Sequence, residues 1–408
     1  MKKILPCVIG LGYVGLPVFI ALKKKFDVVG YDTNKTRIQS LNQKIDVNNE
    51  FKKKELIIKN KSIITNSENK IKESNFYIVS VPTPIKTNNK PDLKFIKSAF
   101  NSISKYIKKG DIVFLESTVY PGTTEIYCKD ILTRKKKFIL NKDFFLGYSS
   151  ERINPGDKYH NIKKIKKVVS IDANSLVIQK VKKVYNVVSN SIVLSKKIKE
   201  AELSKLIENT QRDLNISLMN EIMILCNKTK LDYNEVIRLA RTKWNFLKFS
   251  PGLVGGHCLP VDPFYLSYFA SNYNFNTKVT LAGRFTNNAM ENFIYNQIVK
   301  KIKELKFKSK KKILIAGLTY KSDVSDVRNS LALKIFLKLK KKQYNVVGYD
   351  PIISPSNSKQ ANIINKIKNL KDYKLVVFLV NHKIFEKNLN SFKKSKIPIF
   401  NPFSFFNK

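Results

Sequence analysis

An apolar strand running into a glycine-spaced turn, a long central run without Gly or Pro, and a second strand-and-helix alternation near the C-terminus predict an α/β chain. The architecture they imply is two Rossmann-like, doubly wound domains joined by a central helical domain, with boundaries at 1–195, 196–305 and 306–408. At 408 residues and 43% hydrophobic content, the chain is long enough to build a separate core for each part.

The first strand is Ile4-Leu-Pro-Cys-Val-Ile9, followed at once by Gly10-Leu-Gly12-Tyr13-Val14-Gly15 and a helix from about Val18 to Lys24. In that setting the first glycine makes a tight turn, the second admits a pyrophosphate close to backbone N–H groups, and the third lets helix and strand pack. The helix N-terminus then presents its positive end to the phosphates. A second strand, Asp27 to Tyr31, ends at Asp32, whose carboxylate can accept from ribose hydroxyls and would repel a 2′-phosphate, so NAD is expected rather than NADP. A glycine spacing alone is weak evidence. Strand, turn, helix, strand and acid in order are specific.

The alternation continues with strand Phe76 to Val81 leading into Pro82-Thr83-Pro84, a helix around Leu93 to Ile107, and strand Asp111 to Leu115 leading into Glu116-Ser-Thr118. Phe144 to Tyr148 is a further strand, and the loop after it carries Glu151. Ligands of doubly wound sheets collect beyond the carboxyl ends of the strands, where Thr83, Thr118 and Glu151 fall. Each hydroxyl there reads equally well as a local turn cap.

From about Lys196 to Lys228, Leu203, Leu206, Ile207, Leu214, Leu218, Ile222 and Leu225 recur at helical spacing. Lys205 and Asn209 lie one turn apart on that helix, either on a solvated face or as a pair that can hold an oxyanion or a sugar hydroxyl. A second helix spans Tyr233 to Arg241, and Leu266 to Leu305 reads as mostly helical, with Arg284, Asn287 and Asn288. This middle region is a helical spacer with the capacity to dimerise.

Between those helices lies Pro251-Gly-Leu-Val-Gly255-Gly256-His257-Cys258-Leu-Pro-Val-Asp262-Pro-Phe264. Paired glycines allow a ligand close to the backbone, prolines stiffen the segment, and Asp262 follows the thiol by four residues. The segment suits a positioned nucleophile; the alternative is a packed cysteine in a Gly/Pro-rich loop. In the third part, Lys312 to Ala316 enters Gly317, Val346-Val-Gly-Tyr-Asp350 mirrors Val28-Val-Gly-Tyr-Asp32, and Val376 to Val380 adds a strand. The glycine fingerprint is missing there, which points to a ligand other than a dinucleotide. Lys321, Asp323, Asp326 and Arg328 crowd the loop after its first strand, and the two cations suit phosphate.

The four cysteines, Cys7, Cys128, Cys226 and Cys258, are scattered without a CxxC pair, so neither a disulfide framework nor a metal site is expected. No apolar run is long enough to cross a membrane, and the N-terminus enters a strand rather than a signal peptide. A cytoplasmic, unprocessed protein is the expectation. The formal charge of +45, from 76 Lys+Arg against 31 Asp+Glu, raises nucleic acid or an anionic membrane surface as partners. The lysines are spread over Lys23 to Lys25, Lys52 to Lys54, Lys135 to Lys137, Lys163 to Lys167 and Lys308 to Lys312 rather than gathered on one element, so a solvated basic surface is expected and specific nucleic-acid binding is not.

Seven runs together resemble the nucleotide-sugar 6-dehydrogenase family: GLGYVGLP at 10–17, SVPTP at 80–84, ESTVYPGTT at 116–124, SERINPGDK at 150–158, KLIENTQRDLNISLMNE at 205–221, KWNFLKFSPGLVGGHCLPVDPFYL at 243–266 and GLTYKSDVSDVR at 317–328. The fifth to seventh extend the likeness over nearly the whole chain. SPGLVGGHCLPVDPFYL and ERINPGDK are similar to the branch acting on UDP-N-acetylhexosamines (UDP-GlcNAc or UDP-GalNAc) in capsule and O-antigen pathways. The resemblance implies oxidation of a sugar C6 alcohol to a carboxylate with two NAD in succession, by at least a dimer. It implies Cys258 as nucleophile through a thiohemiacetal and a thioester. Lys205 and Asn209 would steady the oxyanion and touch substrate, Asp262 would support proton transfer or position water, and Thr118 and Glu151 would lie near the hydrolytic water and the sugar. Gly10, Gly12, Tyr13, Val14, Gly15, Asp32, Arg37, Thr83, Thr118 and Arg328 would surround NAD, while Lys321 and Gly255 would contact the UDP-sugar. In the UDP-glucose branch a second glutamate stands where this chain has Pro155. His257 reads as structural or substrate-lining, because adjacent side chains seldom form a Cys–His dyad. The competing readings are a UDP-glucose 6-dehydrogenase and an inactive basic binding protein on the same fold.

Overall fold

A computed structural model describes residues 3–48, 50–154, 156–157, 159, 162–306, 312–353 and 362–406. Pro155 and Lys158 of the SERINPGDK run, and Lys308 to Lys311 of one lysine cluster, lie outside the described residues. The chain divides into two compact units, residues 1–208 with 264–276, and residues 209–263 with 277–408.

The first unit opens with β1 (Pro6–Ile9), α1 (Gly15–Leu22), β2 (Val29–Tyr31), α2 (Lys35–Asn42) and β3 (Ile63–Thr65). It continues with β4 (Phe76–Val79), α3 (Lys94–Tyr106), β5 (Ile112–Leu115), α4 (Lys129–Thr133) and β6 (Phe145–Tyr148). β7 (Lys167–Ile171), α5 (Ser175–Val188) and β8 (Ile192–Ser195) complete the sheet, in the order β3-β2-β1-β4-β5-β6-β7-β8. Every pairing is parallel except β6 with β7. The six strands through β6 give the doubly wound order expected from the sequence; the reversed β7 is an addition that period and glycine signals do not mark.

Pro6 is tolerated in a central strand because it is the first residue, where a missing N–H breaks no ladder bond. One face of the sheet buries Val8, Phe19, Phe76, Phe114 and Tyr185, and the other buries Tyr77, Phe100, Ile103, Leu115 and Leu146. Phe114 stacks on Phe76 with centroids 5.7 Å apart and meets Tyr185 edge-on at 5.0 Å. Gly147 in β6 is what admits that ring, since a methyl group there would fall 2.4 Å from it. Asn34 and Asn174 cap α2 and α5 by accepting the N–H of Arg37 and Val177.

α6 (Ile198–Thr229) is the long Gly- and Pro-free helix, and α7 (Tyr233–Ala240) follows behind an Asp232 cap. α8 (Asp262–Ser271) places Pro263 in its first turn, where no intrahelical donor is needed. Residues 266–305 are mostly helical, as expected, with one break: Asn274 has φ 56°, the backbone turns, and α9 (Lys278–Glu304) begins anew.

In the second unit β9 (Lys312–Ala316), α10 (Leu331–Lys341), β10 (Val346–Tyr349), β11 (Ile363–Ile364), β12 (Tyr373–Phe378), α11 (Lys383–Lys394) and β13 (Ile399–Phe400) form a five-stranded sheet ordered β11-β10-β9-β12-β13. Met290, Ile294, Ile298 and Ile302 of α9 join its core beside Ile315, Phe336 and Val377. Gly317 has φ 80°, and a methyl group on it would lie 2.2 Å from the Val380 carbonyl oxygen. Gly317→Ala should therefore cost more than about 2 kcal/mol; an unchanged urea midpoint for the variant would refute this account of the turn.

Candidate active site

The glycine turn of the first unit is built as the sequence requires. Gly10 has φ 89°, and a methyl group on it would fall 2.6 Å from the Ser80 carbonyl oxygen. One on Gly15 would lie 1.8 Å from the Gly10 carbonyl oxygen, so α1 and β1 approach as only glycine allows. Gly12 differs: it is exposed and a methyl group there would meet nothing within 4 Å. The turn thus keeps open space at the one glycine expected beside a pyrophosphate, with Tyr13 and Val14 half-buried next to it. Val14 supplies no side-chain cap to α1; in its first turn Leu16 N–H donates to the Gly12 carbonyl at 3.2 Å and Pro17 has none, so the Gly15 N–H is the first-turn donor that no side chain caps.

Asp32 accepts the Leu11 N–H at 2.8 Å and the Asn34 N–H at 2.8 Å. It is half-buried, and each carboxylate oxygen keeps a lone pair for a ribose hydroxyl. These residues fit NAD. Arg37 turns inward rather than toward the rim: Nε donates to the Leu11 carbonyl at 2.9 Å and Nη1 pairs with buried Asp46 at 2.8 Å. It braces the turn that would receive the cofactor. Thr83 and Thr118 are half-buried in the loops after β4 and β5, and the Ser117 hydroxyl donates to the Val81 carbonyl at 2.7 Å, which pins those loops together.

Two groups at this rim were not singled out from sequence. Glu202 of α6 accepts the N–H of Gly122 at 2.6 Å and of Thr124 at 2.9 Å, and the Thr124 hydroxyl at 2.7 Å, anchoring the ESTVYPGTT loop. Lys167 donates to Glu151 at 2.8 Å and to Glu116 at 3.2 Å. Glu116 opens the 116–124 run and Lys167 ends the lysine cluster at 163–167, but only the topology brings them together.

In the second unit the carbonyl of Cys258 accepts the N–H of Val261 at 2.9 Å and of Asp262 at 2.8 Å, so the cysteine stands at the entry to α8. Cys7, Cys128 and Cys226 are buried, and burial pushes the thiols of Cys7 and Cys128 well up; Cys258 alone is partly exposed. Asp262 is 3% exposed and accepts from the Asn209 amide. Lys205 and Asn209 are 8% and 5% exposed, which excludes the solvated-face reading.

Gly255 and Gly256 serve a purpose the sequence did not reveal. Methyl groups there would fall 2.7 Å from the Asn329 carbonyl oxygen and 2.7 Å from the Tyr320 ring, while the Asn329 amide donates to the Gly256 carbonyl at 2.9 Å. The paired glycines let the cysteine segment lie directly on the 317–330 loop. That loop holds Lys321, half-buried, and Arg328, which is forked onto Asp326. His257 meets Tyr320 edge-on, and its pKa falls to about 4 through burial and the Arg328 charge, against the pull of Asp326. It is neutral at neutral pH and brings no cation beside the thiol. Asp323 accepts the Lys383 N–H at 3.0 Å, and Asp326 accepts the Arg328 N–H at 2.9 Å besides its guanidinium. Among the described residues no cluster of His, Cys, Asp or Glu could hold a metal ion, and no helix is long and apolar enough to cross a membrane.

Three domain models of the UDP-glucose/GDP-mannose dehydrogenase family match the chain: the NAD-binding domain at 3–189, the central domain at 199–289 and the UDP-binding domain at 314–403. A UDP-N-acetyl-D-glucosamine 6-dehydrogenase of Salmonella typhi is 40% identical over 95% of this chain and 93% of its own length. One of Pseudomonas aeruginosa is 41% identical over 88% and 85%. The structure of a UDP-D-ManNAc dehydrogenase from Pyrococcus horikoshii superposes with a TM-score of 0.85 at 28% identity, covering 99% of this chain and 96% of that one. Fold, site and similarity together define an NAD-binding α/β oxidoreductase. The chain belongs to the UDP-glucose/GDP-mannose dehydrogenase family.

Burial pushes the Glu202 carboxyl up from 4.5 to about 7, against the Thr124 and Gly122 donors that pull it down. The folded chain then holds a proton that the unfolded chain releases near 4.5, so folding stability should fall as pH climbs from 4.5 to about 7, by up to about 3 kcal/mol. Urea midpoints across that window should fall less steeply for Glu202→Gln; identical slopes for both proteins would exclude this origin.

Proposed function

We propose that the protein oxidises the C6 hydroxyl of a UDP-N-acetylhexosamine, UDP-GlcNAc or UDP-GalNAc, to the uronic acid for surface polysaccharide synthesis. The observation that carries this reading is a set of polar residues that folding alone does not call for. Among the described residues the buried cations are Arg37, Lys167, Arg284 and Lys205, and Lys205 alone has no carboxylate on it. A buried, unmatched cation is costly, and a site that must stabilise a transient oxyanion is where a chain keeps one. One turn on, Asn209 holds Asp262, which follows the part-exposed thiol of Cys258 by one helical turn.

When bound, NAD supplies a hydride acceptor for each of the two oxidations. Gly10, Gly12, Tyr13, Val14, Gly15, Asp32, Thr83, Thr118 and Arg328 are proposed as its contacts, with Arg37 acting through the turn it braces. Cys258 adds to the sugar aldehyde as a thiohemiacetal, which becomes a thioester once the C6 hydrogen leaves as hydride. Lys205 and Asn209 steady the oxygen of each tetrahedral species, and Asp262 takes up and returns the alcohol proton. Water then releases the carboxylate product, with Thr118 and Glu151 at that step. Lys321 and Gly255 contact the nucleotide sugar. The names of the relatives support the acetamido sugar, and the three family models support a division of labour at 1–195, 196–305 and 306–408.

Homodimerisation through the helical part belongs to the same proposal. Leu218, Leu225, Leu239, Leu247 and Phe285 are exposed there, and Trp244, the sole tryptophan, is 91% exposed. On raising protein concentration, its emission should shift to the blue as the hydrodynamic mass doubles; a red, concentration-independent emission would refute this.

Purified protein with NAD should yield two NADH per UDP-N-acetylhexosamine consumed and little with UDP-glucose, in a panel that includes the gluco, galacto and manno epimers. Cys258→Ala should lower net turnover at least about 10³-fold. Undiminished two-NADH oxidation by that variant would sink the mechanism, and preference for UDP-glucose would sink the substrate assignment.

A further inference from the structure

β7 is the one strand of the first sheet that runs against its neighbour, with Gly147 opposite Ile171 and Tyr148 opposite Ser170. Continuing that register past the end of β6 sets Glu151 opposite Lys167. A parallel strand would begin at the far end of the sheet. Because β7 is reversed, its first residue stands at the rim where the carboxyl ends of β1, β4, β5 and β6 gather.

There the Lys167 ammonium, 4% exposed, lies between two carboxylates: Glu151 at 2.8 Å and Glu116, just past β5 and fully buried, at 3.2 Å. The second oxygen of Glu151 accepts the N–H of Arg152 and of Ile153, each at 2.7 Å, so the carboxylate is fixed from both sides. Other polar groups bordering the triad are the Tyr185 ring of α5, 5.9 Å from the ammonium, and the pair Arg152–Glu208 contributed by the loop and α6.

Resting on the reading of Glu151 given above, we propose that Lys167 is the positioning residue of the hydrolytic step, aiming Glu151 and keeping it ionised, while Glu116 balances the ammonium from behind. In that step water loses a proton to Glu151, its oxygen bonds to the thioester carbon, and the C–S electron pair leaves on Sγ of Cys258. No oxidant is consumed. Burial alone would raise the Glu151 carboxyl, but the Lys167 charge and hydrogen bond and the two N–H donors outweigh it and hold it below its ordinary value. Burial likewise raises Glu116, more than the ammonium lowers it, so Glu116 is the carboxylate that takes up a proton first.

The test uses full-length protein, NAD and the UDP-N-acetylhexosamine that the wild type turns over. Lys167→Met should keep the rapid burst of two NADH per active site but lose steady-state turnover about 10²-fold. The acid limb of its kcat–pH profile should move up by about one unit or more, since Glu151 loses the charge that keeps it ionised. Lys167→Arg should restore both. Should the methionine variant not fold, Glu116→Gln decides: its acid limb should lie below that of the wild type. A wild-type profile in Lys167→Met, loss of the burst along with turnover in a folded variant, no rescue by arginine, or an upward shift in Glu116→Gln would each overturn the proposal. If the wild type made no NADH from any UDP-sugar, the proposed function itself would fall; an active wild type with unmoved variants would remove this inference alone.

Discussion

Both sheets depend on one device, a carboxylate at the end of the second strand that accepts backbone N–H groups from the turn after the first. Asp32 holds the Leu11 N–H at 2.8 Å, and Asp350 holds those of Leu318 and Thr319 at 2.7 and 3.2 Å. Each turn begins at a glycine with positive φ, Gly10 at 89° and Gly317 at 80°. What separates the two units is what else reaches the acid. Asp32 stays half open. Asp350 is fully buried and also receives Nε2 of His382 at 3.0 Å. The tautomer is fixed because Nδ1 accepts the Asp323 N–H at 3.0 Å, leaving the proton on Nε2. Burial pushes the Asp350 carboxyl up, yet the His382 hydrogen bond and the backbone donors outweigh it and hold it down. Fully buried, with three donors on Oδ2 and the Ile352 N–H on Oδ1 at 3.0 Å, Asp350 is closed to a ribose, and the second sheet repeats the geometry of a dinucleotide site without its chemistry.

The cysteine segment is held by α6 at both its ends. At its start the Asn220 side chain accepts the Gly252 N–H at 2.9 Å and donates to the Gly252 carbonyl at 3.1 Å. Asn220 is itself fixed by Asn287, which donates to the buried Asp213–Arg284 pair at 2.8 Å. At its end Asp262 takes the Asn209 amide. A segment clamped at both ends this way has little freedom to stray, although it makes few regular hydrogen bonds of its own.

The parts legible in the sequence are those whose physics is local. The glycine turn, Asp32, the length of α6 and the position of the thiol follow from side-chain volume, helical period and chain order. What escaped were partnerships across the chain. Lys167 reads as the last of a surface lysine cluster until the reversal of β7 sets it against Glu151. Glu202 reads as one more helix acid until the loop 80 residues earlier folds onto it. Gly255 and Gly256 looked like room for a ligand and proved to be room for Tyr320 and the Asn329 backbone. In each case the residue type was informative, but the partner was set by topology.

Charge shows the same division between local and tertiary causes. With 76 basic residues and only 31 acidic ones, carboxylates are the scarce partner in this chain. Surface lysines need none, because water screens them at little cost. Buried cations do, and the acids are spent there: Asp46 on Arg37, Asp213 on Arg284, Glu116 and Glu151 on Lys167. Lys205 is the exception, equally enclosed and given no carboxylate: the acids one turn either side of it on α6, Glu202 and Glu208, are taken by the 122–124 backbone and by Arg152. Had a carboxylate been placed on it, the ammonium would be neutralised before any substrate arrived. Under the mechanism proposed above, the unmatched ammonium would retain its full field for a negative charge that exists only during reaction, which is what would separate a catalytic cation from a structural one.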